Sequence, residues 1–164
     1  MSDIAVLILM GSDSDAPVMQ AAVDLLRELR IPCEMTVASA HRSPERVMRL
    51  VSEAPRRGVK VFIVGAGAAA HLAGVVAAHT TLPVIGVPID SSALKGLDAL
   101  LSTVQMPPGV PVATVSIGKP GATNAGVLAA QILALGDRDL ADRVRDYKKT
   151  LAEKVEQAAA RLHP

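Results

Sequence analysis

Aromatic residues and cysteine are almost absent from this sequence. Its 164 residues include no tryptophan, one tyrosine (Tyr147), one phenylalanine (Phe62) and one cysteine (Cys33). Single-stranded nucleic acids are held by aromatic stacking platforms, which this composition cannot supply. A lone cysteine forms no intrachain disulfide, and no His-x-His, Cys-x-x-Cys or His-Glu-x-x-His spacing occurs. We therefore expect no metal site and a compartment that keeps thiols reduced.

An excess of charge of one sign is also missing. Lys and Arg number 17 and Asp and Glu number 16, which gives a formal net charge of +1. Without a basic block, the chain lacks the electrostatic footprint of a nucleic-acid-binding protein. The first residues, Met1-Ser2-Asp3, lack the basic segment that opens a signal peptide. The sequence therefore predicts a cytoplasmic protein with no nucleic-acid partner.

Charged residues are rare in the middle of the chain. Between Val61 and Gly136 the only charged side chains are those of Asp90, Lys95, Asp98 and Lys119. The uncharged stretch 61–89 exceeds the roughly 20 residues of a membrane span, but glycine, proline, histidine and alanine are frequent in it. We therefore predict no membrane span. Because a monomer rarely exposes large apolar patches, this region predicts a homo-oligomer whose subunits cover it.

Short apolar segments alternate with segments of helical periodicity. The segments of strand length are Ile4–Met10, Cys33–Ala38, Val59–Val64, Pro83–Val87 and Val110–Ile117. Helices are predicted after Asp15, from Ser43-Pro44-Glu45 to Gly58, up to about Ala78, over Leu97–Val104 and over Thr123–Leu135. Crossover connections between such strands require parallel pairing. The pattern predicts an α/β fold, a three-layer α/β/α sandwich with a central parallel sheet of flavodoxin or Rossmann type, in one domain spanning residues 1–164.

The last segment differs in character from the rest of the chain. From Asp137 to about residue 160, the apolar residues fall on one stripe between charges of both signs. The stripe consists of Leu140, Val144, Tyr147, Leu151 and Val155. It predicts a long amphipathic helix that packs on its own domain or on a neighbouring subunit, because a membrane-surface helix would carry a basic excess.

The loop after the first predicted strand is a possible ligand site. In an open parallel sheet, ligands bind outside the carboxyl ends of the strands. The loop Gly11-Ser12-Asp13-Ser14-Asp15 combines a glycine, two hydroxyls and a predicted helix N-terminus, which suits a phosphate or a polyol. Serine and aspartate before a helix also act as simple caps, and Asp15 is the predicted N-cap. Both interpretations stay open for this loop alone.

The loop after the second strand, Ser39-Ala40-His41-Arg42, brings a hydroxyl, an imidazole and a guanidinium together. His41 is suited to proton transfer beside a bound anion, and the planar fork of Arg42 suits a phosphate. The sequence therefore favours a catalytic histidine here, although isolated histidines are commonly structural or solvated. Of the other histidines, His79 at a helix end and His163 at the terminus are expected to be solvated.

The loop after the third strand matches the dinucleotide-binding fingerprint. Gly65-Ala66-Gly67-Ala68-Ala69-Ala70 follows a predicted strand, and Asp90 comes about 20 residues later. The intervening helix is short for that motif, and the motif normally opens the first βα unit. The same glycines and alanines can let backbone N–H groups approach a small carboxylate, with His71 one turn into the helix. A dinucleotide and a carboxylate both stay open as ligands.

Taken together, six segments of the chain resemble one known family. In chain order they are 10–15 (MGSDSD), 39–44 (SAHRSP), 65–72 (GAGAAAHL), 83–88 (PVIGVP), 100–107 (LLSTVQMP) and 109–115 (GVPVATV). Over nearly the whole chain, this order resembles the PurE family of purine biosynthesis, the N5-carboxyaminoimidazole ribonucleotide mutases. The sequence departs from many relatives at Ala68 and Ala73, where the family carries glycine and proline.

The resemblance implies a reaction. An aminoimidazole ribonucleotide carries a carboxylate on its exocyclic nitrogen, and the carboxylate moves to ring carbon C4 without a metal or an organic cofactor. Carried over by position, Ser12, Ser39 and Arg42 are implied to contact the phosphate, Asp15 a ribose hydroxyl, and His41 the transferred proton. The family further implies a homo-octamer and an ATP-dependent synthetase that supplies the carbamate substrate.

The third loop completes the implied site. The segment Gly67–His71 is implied to hold the migrating carboxylate, and His71 to be a second catalytic residue. The remaining substrate contacts implied by the resemblance are Ser14, Gly67, Ala68, Ala69 and Leu72.

Two types of enzyme exist in this family. The other type carboxylates the aminoimidazole directly with carbon dioxide, and it carries lysine in place of Arg42 and lacks the Ala-His-Leu element, so Arg42 and His71 favour the mutase. The alternatives are a direct aminoimidazole ribonucleotide carboxylase, a dinucleotide-binding α/β protein, and a nucleotide-binding module without catalysis. The last of these would have no use for His41.

Overall fold

Residues 4–162 are described by a computed structural model of the protein. The strands are β1 (Val6–Met10), β2 (Cys33–Val37), β3 (Val61–Gly67), β4 (Val84–Ile89) and β5 (Ala113–Thr114). They form one sheet in the order β2-β1-β3-β4-β5, and every neighbouring pair is parallel. The predicted parallel sheet is confirmed.

Burial on both faces explains why β1 is an uninterrupted apolar run. Val6, Ile8 and Met10 belong to one core cluster, and Leu7 and Leu9 belong to the other. The two sets diverge because successive side chains of a strand point to opposite faces of the sheet. Strands β3 and β4 are almost wholly buried in the same way, whereas the residues of edge strand β2 are half-buried.

Helices cover both faces of this sheet. They are α1 (Ala16–Glu28), α2 (Pro44–Glu53), α3 (Leu72–Ala78), α4 (Leu97–Val104), α5 (Lys119–Ala134) and α6 (Arg138–Leu162). Residues of α1, α5 and the start of α6 contribute to one core cluster, and residues of α2, α3 and α4 contribute to the other. The three-layer sandwich is therefore confirmed, and the carboxyl ends of the strands stay open for a site.

Several element boundaries differ from the sequence-based prediction, among them those of β3, β5 and α5. Strand β3 continues to Gly67, because Gly65–Gly67 pair with Val87–Ile89 of β4. Strand β5 shrinks to two residues at the sheet edge, where Pro111 has no N–H for the ladder. Helix α5 begins at Lys119, ahead of the predicted start, because a proline in the first helical turn loses no hydrogen bond.

The long helix α6 packs on the domain along its first half only. Leu140 is buried, and Val144 and Tyr147 pack against the same core cluster as α1 and α5. Farther along the stripe, Leu151 and Val155 are 44% and 66% exposed. The predicted amphipathic helix is confirmed, and its packing on the chain's own domain ends before residue 151.

The structure also bears on the predicted absence of a membrane span. Within residues 4–162, no helix combines the length and the apolar character needed to cross a bilayer. His79 is exposed, as predicted. The opening residues Met1-Ser2-Asp3 and His163 lie outside the described part of the chain.

Candidate active site

A cavity of about 290 Å³ opens at the carboxyl edge of the sheet, above β1, β2 and β3. Its lining residues are Gly11, Ser12, Ser14, Asp15, Ser39, Ala40, His41, Arg42, Ala66, Gly67, Ala69, His71, Leu72 and Ser91. All of the site residues predicted from the sequence are among them except Ala68. The position of the cavity is the one that parallel topology favours for a ligand.

The first loop holds itself in place through side-chain hydrogen bonds. A single 3₁₀ turn, Asp13–Asp15, precedes α1, and Ser12 caps it. The Ser12 N–H donates to Asp15 Oδ2 at 3.1 Å, and the Ser14 hydroxyl donates to Ser12 Oγ at 2.9 Å. Asp15 stands at the N-cap of α1 as predicted, but its carboxylate turns back to Ser12 and caps nothing in α1. The loop thereby keeps its hydroxyls on the wall of the cavity.

Asp15 is an acid buried next to a cation. Its side chain is only 5% exposed. Burial raises the pKa of this carboxyl, the Ser12 N–H and the positive charge of Arg42 oppose that rise, and the charge of Asp13 adds to it. A carboxylate in this position is an acceptor with unused lone pairs, which suits a sugar hydroxyl.

Arg42 joins the second loop to the first. Its backbone N–H and its Nε donate to Ser39 Oγ at 3.2 Å and 3.5 Å, and its Nη2 donates to the Gly11 carbonyl at 2.8 Å. Ser43 occupies the predicted N-cap position of α2, but its hydroxyl donates back to the Ser39 carbonyl. The guanidinium is thus positioned over the cavity with part of its donor set still free for an anion.

A pair of histidines links the second loop to the third. His41 Nε2 and His71 Nδ1 lie 2.8 Å apart, within hydrogen-bond distance. The ring centroids are 4.9 Å apart, and the planes are nearly perpendicular at 88°. One of the two nitrogens must donate and the other accept, so a proton that one ring gains or loses changes the hydrogen bond of the other. The pair can take up and return a proton at one place in the cavity.

The third loop makes a tight turn between β3 and α3. Ala68 has a φ of +50°, which is unusual for a residue with a side chain. The Ala70 N–H donates to the Ala68 carbonyl at 2.9 Å, and the His71 N–H donates to the Ala69 carbonyl at 2.8 Å. Ala68 does not line the cavity; it shapes the turn that carries Ala69 and His71 to it.

The glycines of this loop do not form a dinucleotide-binding turn. Gly65 and Gly67 are paired within the β3 ladder. A Cβ on Gly65 would lie 2.3 Å from Met19 Sδ, so this glycine makes room for a core side chain. The dinucleotide interpretation is wrong, because the fingerprint requires its glycines in the turn where the backbone meets a pyrophosphate.

Four lining residues were not predicted from the sequence: Gly11, Ala40, Ala66 and Ser91. The first three lie within loop motifs that the sequence already indicated, although they were not singled out as contacts. Ser91 comes from the loop after β4, which carries no motif of its own. A serine two residues after a buried strand in a parallel sheet was the one available signal.

Metal ligation finds no support in the described part of the chain. No group of three or more His, Cys, Asp or Glu side chains within residues 4–162 is arranged to hold an ion. The two histidines of the cavity contact each other, and Asp15 faces Ser12. The donors of this cavity suit an anionic organic molecule instead.

Comparison with known proteins identifies the family. The family model described as AIR carboxylase matches residues 5–154. N5-carboxyaminoimidazole ribonucleotide mutase of Bacillus subtilis (strain 168) is 56% identical, and the match covers 92% of this chain and 95% of that protein. The mutase of the same name from Pyrococcus horikoshii is 53% identical over 94% of this chain and 86% of its own.

Two further matches have different names. Phosphoribosylaminoimidazole carboxylase of Candida glabrata is 51% identical over 94% of this chain, which corresponds to 27% of that longer protein. A crystal structure of Treponema denticola PurE superposes with a TM-score of 0.87 at 31% identity, covering 98% of this chain and 99% of its own. The matched length, together with the shared fold, shows that the chain belongs to the AIR carboxylase family.

Proposed function

We propose that this protein is the N5-carboxyaminoimidazole ribonucleotide mutase of purine biosynthesis. It converts a carbamate on the exocyclic nitrogen of the nucleotide into a carboxylate on ring carbon C4. The observation that carries the proposal is the contact of His41 with His71 beside Arg42 in one cavity. This chain is 56% identical to a protein named as this mutase, and it brings these side chains together at the edge of the sheet where ligands bind.

The substrate lies along the cavity from the first loop to the third. Arg42 and the hydroxyls of Ser12 and Ser39 bind its phosphate, because a guanidinium fork and hydroxyl donors match phosphate oxygens. Asp15 accepts a hydrogen bond from a ribose hydroxyl. The base then reaches the third loop, where Gly67–His71 receive the carboxylate and Leu72 covers the ring. Ser14 completes the wall beside Ser12.

The reaction needs one bond broken, one bond formed and one proton moved. The nitrogen–carbon bond of the carbamate breaks, carbon dioxide is released into the cavity, and the nitrogen gains a proton. Ring carbon C4 then attacks the trapped carbon dioxide, and the proton on C4 must leave to restore the aromatic ring. His41 gives the first proton and removes the second, and His71 holds its partner ring in place.

The alternative is direct carboxylation of the aminoimidazole nucleotide. It is favoured by one observation, the name phosphoribosylaminoimidazole carboxylase of the fungal relative that is 51% identical to this chain. The arginine at position 42 and the histidine at position 71 favour the mutase by family resemblance. The two reactions differ in the source of the carboxylate, so labelling separates them.

Isotopic labelling therefore tests the proposal. The purified protein would be given the carbamate with ¹³C in its carboxylate, in an excess of unlabelled bicarbonate. We expect product with the label retained at C4. Product formed only from the aminoimidazole nucleotide plus bicarbonate would establish the carboxylase. Tight nucleotide binding with neither conversion would establish a non-catalytic module.

We further infer a cytoplasmic homo-oligomer, an octamer, supplied with its carbamate by an ATP-dependent synthetase. Supporting the assembly, α4 exposes the apolar side chains of Leu97, Leu101 and Val104, and Leu94 is exposed in the loop just before it. Burying these side chains against other copies removes apolar surface from water. Sedimentation is the test. A folded, active monomer at micromolar concentration would contradict the assembly.

A further inference from the structure

One hydroxyl of the cavity wall has no hydrogen bond to any described residue. The wall carries four hydroxyls, those of Ser12, Ser14, Ser39 and Ser91. Ser12 and Ser14 are bonded to each other, and Ser39 accepts from Arg42. Ser91 neither donates nor accepts within residues 4–162, although its loop is held in place next to it. There, Ser92 Oγ donates to Asp98 Oδ2 at 2.7 Å, which holds the pKa of Asp98 below its ordinary value.

The side chain of Ser91 rests directly on Gly67. A Cβ added at Gly67 would lie 1.8 Å from Ser91 Oγ and 2.8 Å from Ser91 Cβ. The backbone at Gly67 has no left-handed φ, so its lack of a side chain serves close approach and no unusual conformation. Gly67 thereby keeps the hydroxyl of Ser91 next to the turn that ends in His71.

Part of the donor set at this end of the cavity is already in use. The N–H groups of Ala70 and His71 are already used within the turn. His71 Nδ1 faces His41. Ala69 and Leu72 offer apolar side chains. A carboxylate leaving water loses strong hydrogen bonds, and it needs replacements at the wall.

We propose that the Ser91 hydroxyl is a substrate-binding group that donates a hydrogen bond to the carboxylate of the nucleotide. The inference rests on the proposed function and adds a residue to its site. Ser91 follows β4, while Ser39 and Arg42 follow β2, and two other strands separate these in the sheet. The Arg42 guanidinium donates to the Gly11 carbonyl after β1, whereas the Ser91 hydroxyl rests on Gly67 at the end of β3, so the two groups serve different loops of the cavity. The carboxylate of the nucleotide, which the proposed function places at the third loop, is the anionic group next to Ser91.

Two nucleotides that differ only in the carboxylate provide the test. Dissociation constants of the 4-carboxy-5-aminoimidazole ribonucleotide and of the uncarboxylated nucleotide would be measured for the unmodified protein and for Ser91→Ala. A hydrogen bond to a charged group corresponds to roughly a ten- to hundredfold effect. We expect Ser91→Ala to weaken the carboxylated ligand by about that factor and to leave the uncarboxylated one nearly unchanged.

The neighbouring Ser92→Ala is the matched control, because Ser92 bonds to Asp98 and does not line the cavity. A disturbed loop weakens the binding of both nucleotides equally, so the ratio of the two dissociation constants reports only the contact with the carboxylate. An unchanged ratio in Ser91→Ala, or an equal loss in Ser92→Ala, would overturn the role of Ser91. If the unmodified protein shows no preference for the carboxylated nucleotide and no turnover, the proposed function fails, and this inference fails with it.

Discussion

The two ends of the cavity are built by different kinds of interaction. The hydrogen-bonded end is formed by the first two loops. Within each loop, side chains bond to near neighbours in the chain, as Ser12 does with Asp15 and Arg42 with Ser39, and Arg42 also bonds across to Gly11. The packed end, formed by the third and fourth loops, is held by the contact of Gly67 with Ser91 and by the left-handed Ala68. Local polar patterns can be read from a sequence, whereas such packing depends on which strands lie side by side.

The histidine pair joins these two ends. His41 belongs to the hydrogen-bonded end and His71 to the packed end, and they meet at 2.8 Å. Loss of either ring breaks the junction without removing the proposed phosphate contacts or the packing of Gly67. Substitutions at the junction, at each end and at the strained turn therefore have effects that differ in kind as well as in size.

The junction is expected to give the largest effect. His41→Asn removes the imidazole that would give and take the proton and keeps a similar shape, so turnover should fall about 10²–10⁴-fold, as for lost acid–base catalysis. Nucleotide affinity and melting temperature should change little, because Arg42 and Ser39 remain. The matched control is His79→Asn, at the end of α3 and away from the cavity. A folded His41→Asn protein with near-normal kcat would contradict the assignment.

At the hydrogen-bonded end, Arg42→Lys should mainly weaken binding. Lysine keeps the charge but loses the planar fork that reaches Gly11 and Ser39, which we expect to cost about 1–3 kcal/mol in kcat/KM, almost all of it through KM. Arg49→Lys, an exposed change on α2, is the matched control. Steady-state kinetics is the measurement. An unchanged KM in Arg42→Lys would contradict the assignment of Arg42 as a phosphate contact.

Asp15→Asn should separate binding from stability at the same end. Loss of the charged acceptor should weaken the nucleotide about tenfold. Because burial raises the folded-state pKa, the folded protein binds a proton more readily than the unfolded chain, and wild-type stability declines as pH rises from the unfolded to the folded pKa. The asparagine variant lacks that decline. Denaturant unfolding at several acidic pH values measures this decline. A free energy of unfolding that rises with pH across this window in the wild type, relative to the variant, would contradict the raised pKa of Asp15.

At the packed end, Ala68→Gly should have the smallest effect and a favourable one. A left-handed conformation costs a residue with a Cβ roughly 1–2 kcal/mol, which glycine avoids, and part of that gain is offset by the greater freedom of glycine in the unfolded chain. We expect the free energy of unfolding to rise by about 1 kcal/mol with unchanged turnover. In α3, Ala77→Gly should instead destabilise by a similar amount. Equal destabilisation by both changes would show that Ala68 is unstrained.

Much of the architecture could be predicted from the sequence because it rests on local patterns. Strand β1 is apolar throughout because both of its faces are buried, and α4 was predicted with its observed bounds, Leu97–Val104. The pattern failed at β3, whose end at Gly67 is set by pairing with β4. It also failed at β5, where Pro111 interrupts an apolar run at the sheet edge.

The candidate site divides in the same way. The residues of the first two loops carry polar groups in unusual density, and so Ser12, Asp15, His41 and Arg42 could be found by inspection. Ser91 could not, because a single serine after a strand does not stand out until β4 is known to lie beside β3.

The sequence by itself determined the alternation of strands and helices, the parallel sheet and the polar loops at one edge, since these follow from apolar periodicity and local hydrogen bonding. Only the tertiary structure decided that His41 contacts His71, 30 residues farther along the chain, and that the missing side chain of Gly67 lets Ser91 pack against it. It also decided that α6 stops packing on the domain before residue 151. These contacts depend on the order β2-β1-β3-β4-β5, which local patterns do not encode, because a crossover connection allows several neighbours for each strand.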